Sequence, residues 1–340
     1  MENPGDPIAT APEWLPEELL ERLRAFRESR VLLSAIELDV YTAVGSGATA
    51  PEVASRMGAD PRATEMLLNA LVALGMLAKQ AGVFSNSPLT ERYLAAGSPQ
   101  DARAALMHTV HLWDRWSTLT ECVRAGTSVT YREPHEREEK WTVAFIAAMH
   151  ANAVLRAPEL VRAVGLEGVN RMLDIGGGSG AYAIAFAQTR PGLQVEVLDL
   201  APVVRIAESH IAQAGLTGRV KTRVGDLRTD TFGQGYDLIL LSAICHMLGP
   251  EENLDLLERC RNALAPGGRL VIKDFILDAG KTAPREAALF ALNMLVGTPQ
   301  GSTYSEPEYA AWLAAAGFAE VRRIRLDWLA DLMVAVRRCS

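Results

Sequence analysis

The sequence predicts an α/β protein: a parallel sheet covered by helices on both faces fills roughly the second half, and a smaller, mainly helical domain precedes it. Three observations predict this. From about residue 169 onward, apolar runs of strand length alternate with helical patterns, the signature of a parallel sheet with crossover helices. The first of those strands runs straight into a glycine-rich loop, Gly176-Gly-Gly-Ser-Gly180. The first hundred residues instead read as helices followed by a hairpin, with the helix starts marked by a capping residue and then proline.

In chain order, Leu19, Leu23 and Phe26, then Val31, Leu32, Ala35 and Ile36, recur at helical spacing. Thr49-Ala-Pro-Glu starts a short helix with Thr49 as its cap. Asp60-Pro-Arg-Ala starts another, which runs through Met66, Leu67, Leu71 and Leu74 and ends at Gly75. Leu77–Lys79 and Val83–Ser85 flank a glycine-containing turn, as a β-hairpin does. Helix, helix and two-stranded wing together form a winged-helix pattern over residues 1–100. A helical linker over 101–165 carries Trp113, Trp116, Trp141, Phe145 and Met149 and is expected to contribute to a substrate pocket. Within it, the charged stretch Arg132–Lys140 reads as a solvated loop or helix start.

The third segment, 166–340, is the Rossmann-like domain. Its strands are expected at Arg171–Ile175, Gln194–Leu198, Val220–Val224, Tyr236–Leu241 and Gly268–Ile276. Its helices are expected at Ala181–Gln188, Val203–Ala214 and Glu251–Leu264. Two further strands, near Glu320–Leu326 and Leu332–Arg338, have only a short link and should form an antiparallel hairpin at the sheet edge. In such sheets the ligand sits at the carboxyl ends of the strands.

Composition narrows the function classes. The chain has 340 residues, enough for two domains, and is 49% hydrophobic and 22% charged. No apolar run approaches the roughly 18 residues of a membrane span, and the start MENPGDPIAT lacks the pattern of a secretion signal. Cys122, Cys245, Cys260 and Cys339 show no CxxC pairing; this suits a reducing cytoplasm and argues against disulfides or a zinc site. Net charge is −7, whereas proteins that neutralise phosphates are usually basic. Residues 1–100 hold eight basic and thirteen acidic residues, and the helix after Asp60 carries only Arg62 as a base. The wing domain therefore reads as a packing and dimerisation module rather than a DNA reader. Its first helices carry more apolar surface than so small a domain needs, which predicts a two-fold dimer, with a segment of chain reaching toward the partner's site.

The glycine loop raises a choice of cofactor. Gly176, Gly178 and Ala181 satisfy a loose dinucleotide pattern, and Asp199 at the end of the second strand suits the two ribose hydroxyls of an adenosine. Two acids decide against a pyrophosphate. Asp174 stands immediately before the glycines, where it would repel phosphate and attract the methionine ammonium of S-adenosylmethionine (SAM). Asp226, after the third strand, can accept from an adenine amino group. The expected cofactor-binding set is Asp174, Gly176, Gly178, Gly180, Asp199, Leu200, Asp226, Leu227 and Ser242. The bland alternative is that Asp199 and Asp226 only cap helices.

At these residues the chain resembles the class I small-molecule O-methyltransferases of the plant caffeic acid, animal hydroxyindole, and bacterial polyketide and carotenoid type. The resemblance rests on Asp174-Ile-Gly-Gly-Gly-Ser-Gly, Asp199-Leu-Ala-Pro-Val-Val, Gly225-Asp226, Ile244-Cys-His246 and Leu264-Ala-Pro-Gly-Gly268, and extends over nearly the whole chain. It implies that His246 is a general base and that Asp274 orients it. The sequence departs from the plant members in three places. Thr303 stands where they carry a second acid, with Glu306 and Glu308 out of register. Met247-Leu248 replaces Asp-Trp, and Ser242 replaces a lysine that contacts the cofactor. Trp113, Phe145, Met149, Phe290, Asn293 and Met294 are candidates for the acceptor pocket, against the plainer reading that they are core. His108 and His111 stand at i, i+3, but no carboxylate partner accompanies them, so no metal is expected. The expected partner is a small-molecule acceptor, with neither nucleic acid nor membrane involved. Methylation at carbon or nitrogen, hydroxylase-like chemistry on the same fold, and a SAM-sensing DNA-binding regulator are the rival readings.

Overall fold

A computed structural model describes residues 15–133, 139–326 and 330–339 and divides the chain into two units, Met1–Arg103 and Ala104–Ser340. The first unit holds α1 (Glu17–Arg24), α2 (Phe26–Glu37), α3 (Val40–Val44), β1 (Ala48–Thr49), α4 (Ala50–Met57), α5 (Pro61–Ala73), β2 (Leu77–Gln80), β3 (Val83–Asn86) and α6 (Pro88–Tyr93). Both expected helix starts are present. Thr49 and Glu52 form a capping box at α4, and the Asp60 carboxylate accepts from the Ala63 N–H at 2.8 Å to open α5. Val40, Tyr41, Val53, Leu68, Leu71 and Phe84 form the core of the unit.

The wing is larger than the sequence predicts: β1 joins β3, and a three-stranded antiparallel sheet in the order β1-β3-β2 takes the place of a simple hairpin. A two-residue strand is too short to show alternation. Met66, placed on the apolar pattern of α5, is exposed, as are Leu19, Leu23 and Phe26. Helix α1 buries no residue within this chain.

The second unit begins with helices α7 (Arg103–Trp116), α8 (Leu119–Ala125) and α9 (Glu139–Val164). The charged stretch expected over Arg132–Lys140 lies partly outside the described residues. Then strand and helix alternate: β4 (Arg171–Ile175), α10 (Ala181–Thr189), β5 (Gln194–Asp199), α11 (Ala201–Gln213), β6 (Val220–Val224), β7 (Tyr236–Ser242), α12 (Pro250–Ala263) and β8 (Leu264–Asp274). After these come β9 (Ile276–Leu277), α13 (Arg285–Gly297), β10 (Tyr304–Ser305), α14 (Glu306–Ala315), β11 (Phe318–Ile324) and β12 (Asp331–Arg337).

The main sheet has the order β11-β12-β8-β7-β4-β5-β6. Strands β4 to β8 run parallel, and β11 and β12 form the antiparallel edge hairpin. Both faces are apolar because both are covered. Leu160, Phe186 and Ile211, from α9, α10 and α11, pack on one face. Leu256, Leu257 and Leu313, from α12 and α14, pack on the other. Strand β8 starts four residues earlier than expected, since Leu264 already pairs with Tyr236 across an irregularity in the ladder. It ends at Asp274, and Ile276 belongs to a separate two-stranded parallel ladder with β10. The chain order reverses at β4, with β5 on one side and β7 on the other, which opens a crevice at their carboxyl ends. Among the described residues, no helix is long and apolar enough to cross a membrane.

Candidate active site

A cavity of about 760 Å³ occupies this crevice, within the range of small-molecule and cofactor sites. Asp174, the penultimate residue of β4, is fully buried, and neither carboxylate oxygen has a hydrogen-bond partner. Burial, and then the neighbouring Asp199 charge, push its carboxyl up to about 7; the nearby Ala183 N–H opposes this weakly but falls short of hydrogen-bond geometry. A buried carboxylate without a donor is costly, so this one is aimed at something the chain itself does not supply.

The loop that follows is shaped around Asp174. Gly176 adopts φ +66°, and a Cβ there would stand 2.3 Å from Ile244 Cδ1. At Gly177 a Cβ would fall 2.8 Å from both Asp174 Oδ2 and Val197 Cγ1. Asp199, at the end of β5, accepts from the Gly178 N–H at 2.8 Å through one oxygen and from the Leu200 N–H at 2.7 Å through the other. Each oxygen keeps a further lone pair, and burial raises this carboxyl to about 6. Asp226 accepts from the Arg228 N–H at 2.8 Å. Asp226, Leu200, Leu227 and Ser242 all line the cavity.

Beyond β7 the chain turns through Ala243, whose φ of +59° lies in the left-handed region, into a single 3₁₀ turn, Cys245–Met247. This turn presents His246, 6% exposed, to Asp274, 1% exposed, at the end of β8. The His246 N–H donates to Asp274 Oδ2 at 3.1 Å, and Nδ1 lies 2.6 Å from Oδ1. A carboxylate can only accept, so against it Nδ1 carries the proton and Nε2 is the nitrogen with a lone pair. The edge of His246 meets the Phe290 ring at 4.9 Å.

A model of the O-methyltransferase domain matches residues 116–319, and a model of the O-methyltransferase dimerisation domain matches residues 20–96. The chain belongs to the O-methyltransferase family. It is 35% identical to 3-hydroxy-5-methyl-1-naphthoate 3-O-methyltransferase of Streptomyces sahachiroi, over 94% of this chain and 95% of that one. It is 31% identical to mouse acetylserotonin O-methyltransferase, over 94% and 88%. Among solved structures, PigF with SAH superposes with a TM-score of 0.86 at 25% identity, over 95% and 99% of the two chains.

The methyltransferase is SAM-dependent, and its crevice fits that cofactor on the chain's own evidence. The orphaned Asp174 carboxylate suits an ammonium, the spare lone pairs of Asp199 suit a ribose diol, and Asp226 offers an acceptor further along. Gly176 and Gly178 line the cavity, but Gly180 does not. In its left-handed conformation Gly180 starts α10 instead, as the switch from loop to helix demands.

Of the acceptor-pocket candidates, Phe145 and Met149 line this cavity, whereas Trp113, Phe290, Asn293 and Met294 do not. Phe290 packs on His246, and Asn293 accepts from the Trp116 indole at 2.9 Å, so these two sit on the histidine side of the methyltransferase and in its helix packing. His246 and Asp274 are not among the residues that line the cavity, whereas Ile244 and Met247, which flank the histidine's turn, are. Thr303 donates to the Ala287 carbonyl at 2.9 Å, and Glu308 caps α14 and pairs with Lys281; neither serves as a second acid beside the histidine.

Sequence reasoning missed several residues of this site. Gly177 fits no pattern of alternate glycines. Trp141 stacks on Phe145 at 5.3 Å, and both line the cavity. Ser179 is gripped by His150 Nδ1 at 2.8 Å, and His150 stacks on His210 at 4.0 Å. Lys273 and Tyr182 line the cavity too. Lys273 carries a legible signal, a cation that closes the apolar run 270–272 and stands next to Asp274. Among the described residues, no cluster of three or more His, Cys, Asp or Glu side chains is placed to hold a metal.

Proposed function

We propose that this methyltransferase transfers a methyl group to a hydroxyl of a small aromatic molecule, with His246 as general base and Asp274 as the residue that positions it. The observation that carries this reading is the two-point contact between them, ring and backbone together. It holds the imidazole in one tautomer and one orientation, with Nε2 available. SAM supplies an electrophilic methyl group on a sulfonium. The chain's task is to align a hydroxyl with that methyl and to take its proton. Asp174, Gly176, Gly178, Asp199, Leu200, Asp226, Leu227 and Ser242 hold the cofactor, and Phe145, Met149 and Trp141 offer an aromatic-lined wall to an acceptor. The naphthoate relative, named for methylating a ring hydroxyl, supports the choice of acceptor class.

The same reading makes the protein a homodimer through its first unit, where the matched dimerisation domain holds the exposed Leu23 and Phe26, and the exposed Leu19 immediately precedes it. The functional reading is tested by incubating purified protein with methyl-labelled SAM and a panel of phenols, quinones, indoles and tetrapyrroles, and locating the label in the product by NMR. Label on an aryl oxygen is the expected result. Label only on carbon or nitrogen, in every acceptor that reacts, overturns the hydroxyl assignment.

A further inference from the structure

The cavity carries a charge arrangement that the ribose, adenine and histidine assignments do not use. Its lining cations are Arg228 and Lys273. Arg228 follows β6, beyond Asp226, and is paired with Glu252 at 3.2 Å. Lys273 lies at the other end, one residue before Asp274. Side chains alternate along a strand, so Asp274 faces the histidine and Lys273 faces the opposite side of β8, toward α10. There its ammonium stands 5.5 Å from the centroid of the Tyr182 ring. Tyr182 lies in the first turn of α10, and its phenol feels both the Ser242 hydroxyl and the Asp174 carboxylate, as well as the positive field of Arg156. One aromatic ring therefore has the orphaned anion of β4 and the cation of β8 near it.

The ladder explains why the cation is here. Ser242 of β7 and Lys273 of β8 are direct register partners, and both line the cavity. In parallel strands such partners project to the same face of the sheet.

From this juxtaposition we propose that Lys273, with Tyr182 beside it, binds the α-carboxylate of the cofactor's methionine end while Asp174 takes the α-ammonium. The inference rests on SAM being the cofactor. Asp174 partners Leu240 and Lys273 partners Ser242, two residues apart on β7, so the anion and the cation project to the same face of the sheet, as the two ends of an amino-acid zwitterion require. Charge-assisted hydrogen bonds of this kind are stronger than neutral ones. Burial lowers the Lys273 ammonium to about 8, with Asp274 opposing the shift and Arg156 adding to it, so it still carries charge at neutral pH and gains from a carboxylate partner.

The test is calorimetric and needs no acceptor. Dissociation constants are measured for S-adenosylhomocysteine, for its decarboxylated counterpart, and for 5′-methylthioadenosine, which lacks the amino acid altogether. The wild-type protein should prefer S-adenosylhomocysteine over the decarboxylated compound by about tenfold or more. In Lys273→Met that preference should shrink to within about twofold, while methylthioadenosine binds as before and shows that the site is intact. If Lys273→Met loses methylthioadenosine as well, the same ratio is read in Lys273→Gln, which keeps a polar end without the charge. A preference that survives in the variant that still binds methylthioadenosine overturns the assignment of Lys273 and leaves the cofactor reading standing. Failure of the wild-type protein to bind S-adenosylhomocysteine at all overturns both.

Discussion

Asp274 holds His246 at two points, the ring Nδ1 at 2.6 Å and the backbone N–H at 3.1 Å, using a different carboxylate oxygen for each. The backbone contact fixes the 3₁₀ turn, and the ring contact fixes the tautomer within it. A carboxylate that did only the second would leave the imidazole free to swing with its turn. Asp274 also accepts from the Phe275 N–H at 2.8 Å, so the strand end, the turn and the histidine form one unit.

If His246 is the base, His246→Ala should keep its affinity for SAM and lose turnover by about two to four orders of magnitude, the usual range for removing a general base. Asp274→Asn should lose less. The single amide oxygen can accept from the ring or from the backbone N–H but not from both, and it supplies no negative charge for the imidazolium that forms. Single-turnover rates alongside calorimetric SAM affinities check both. Near wild-type turnover in His246→Ala would leave the histidine a structural role and catalysis by alignment alone.

The proposed dimer makes a separate prediction. Leu19, Leu23 and Phe26 are 42%, 60% and 56% exposed within one chain, a stripe on two helices that buries little against its own unit. Changing Leu23 and Phe26 together to Glu places charges where a partner's apolar surface would lie. Light scattering at micromolar concentration should show a dimer for the wild-type protein and a monomer for the variant. A monomeric wild-type protein would remove the stripe's proposed role.

Much of this architecture was legible because single residues announce it. Asp60-Pro61 and Thr49-Ala-Pro-Glu mark helix starts through local hydrogen bonds, and both starts appear in the structure. Strands β4 and β6 keep the expected bounds because each is an apolar or alternating run closed off by glycine or a polar turn. The acids at strand ends were legible for a similar reason, since a carboxylate there needs an explanation. What stayed hidden depends on approach in three dimensions. β1 is two residues long and exists only because β3 runs beside it. Gly177 matters because Asp174 and Val197 close on it from two strands, and no spacing rule reports that. The stacking of His150 on His210 joins α9 to α11 across sixty residues. Phe290 and Asn293 are only candidates for the acceptor pocket on sequence, because apolar and amide side chains at helical spacing do not reveal whether they face a cavity or a neighbouring helix.

Gly177 gives the sharpest steric prediction. In Gly177→Ala the new methyl meets Asp174 Oδ2 and Val197 Cγ1, each at 2.8 Å, closer than real contacts allow. The Asp174 carboxylate has no hydrogen bond anchoring it, so it is the group that yields. SAM affinity should fall by about tenfold or more, as for the loss of a charged hydrogen bond, while the melting temperature changes modestly. Gly178→Ala offers a comparison, because nothing lies within 4 Å of a Cβ there, although its φ of +59° makes any side chain unfavourable. It should lose stability more than affinity. Equal affinities for SAM in the wild-type protein and in Gly177→Ala would mean that Asp174 does not touch the cofactor.

The last prediction concerns pH and follows from the same carboxylate. Burial raises Asp174 to about 7 and Asp199 to about 6, both above their values in an unfolded chain. A raised carboxyl favours the folded state while it is protonated. Its contribution to stability is therefore fully present below about pH 4 and is lost as pH rises through about 7. Cofactor binding has the opposite sign. The methionine ammonium needs Asp174 ionised, so affinity for SAM should weaken as pH falls below about 7, approaching tenfold per pH unit for one linked proton. Binding at about pH 6 should accordingly release a proton, visible as a heat that depends on the ionisation enthalpy of the buffer. In Asp174→Asn the affinity should be lower at neutral and higher pH, and the part of the pH dependence centred near 7 should vanish, leaving any residue from Asp199. A wild-type affinity that stays flat between about pH 5.5 and 8, where the linkage predicts a slope, would show that Asp174 stays in one protonation state across that range and that its burial is not relieved by the cofactor's charge.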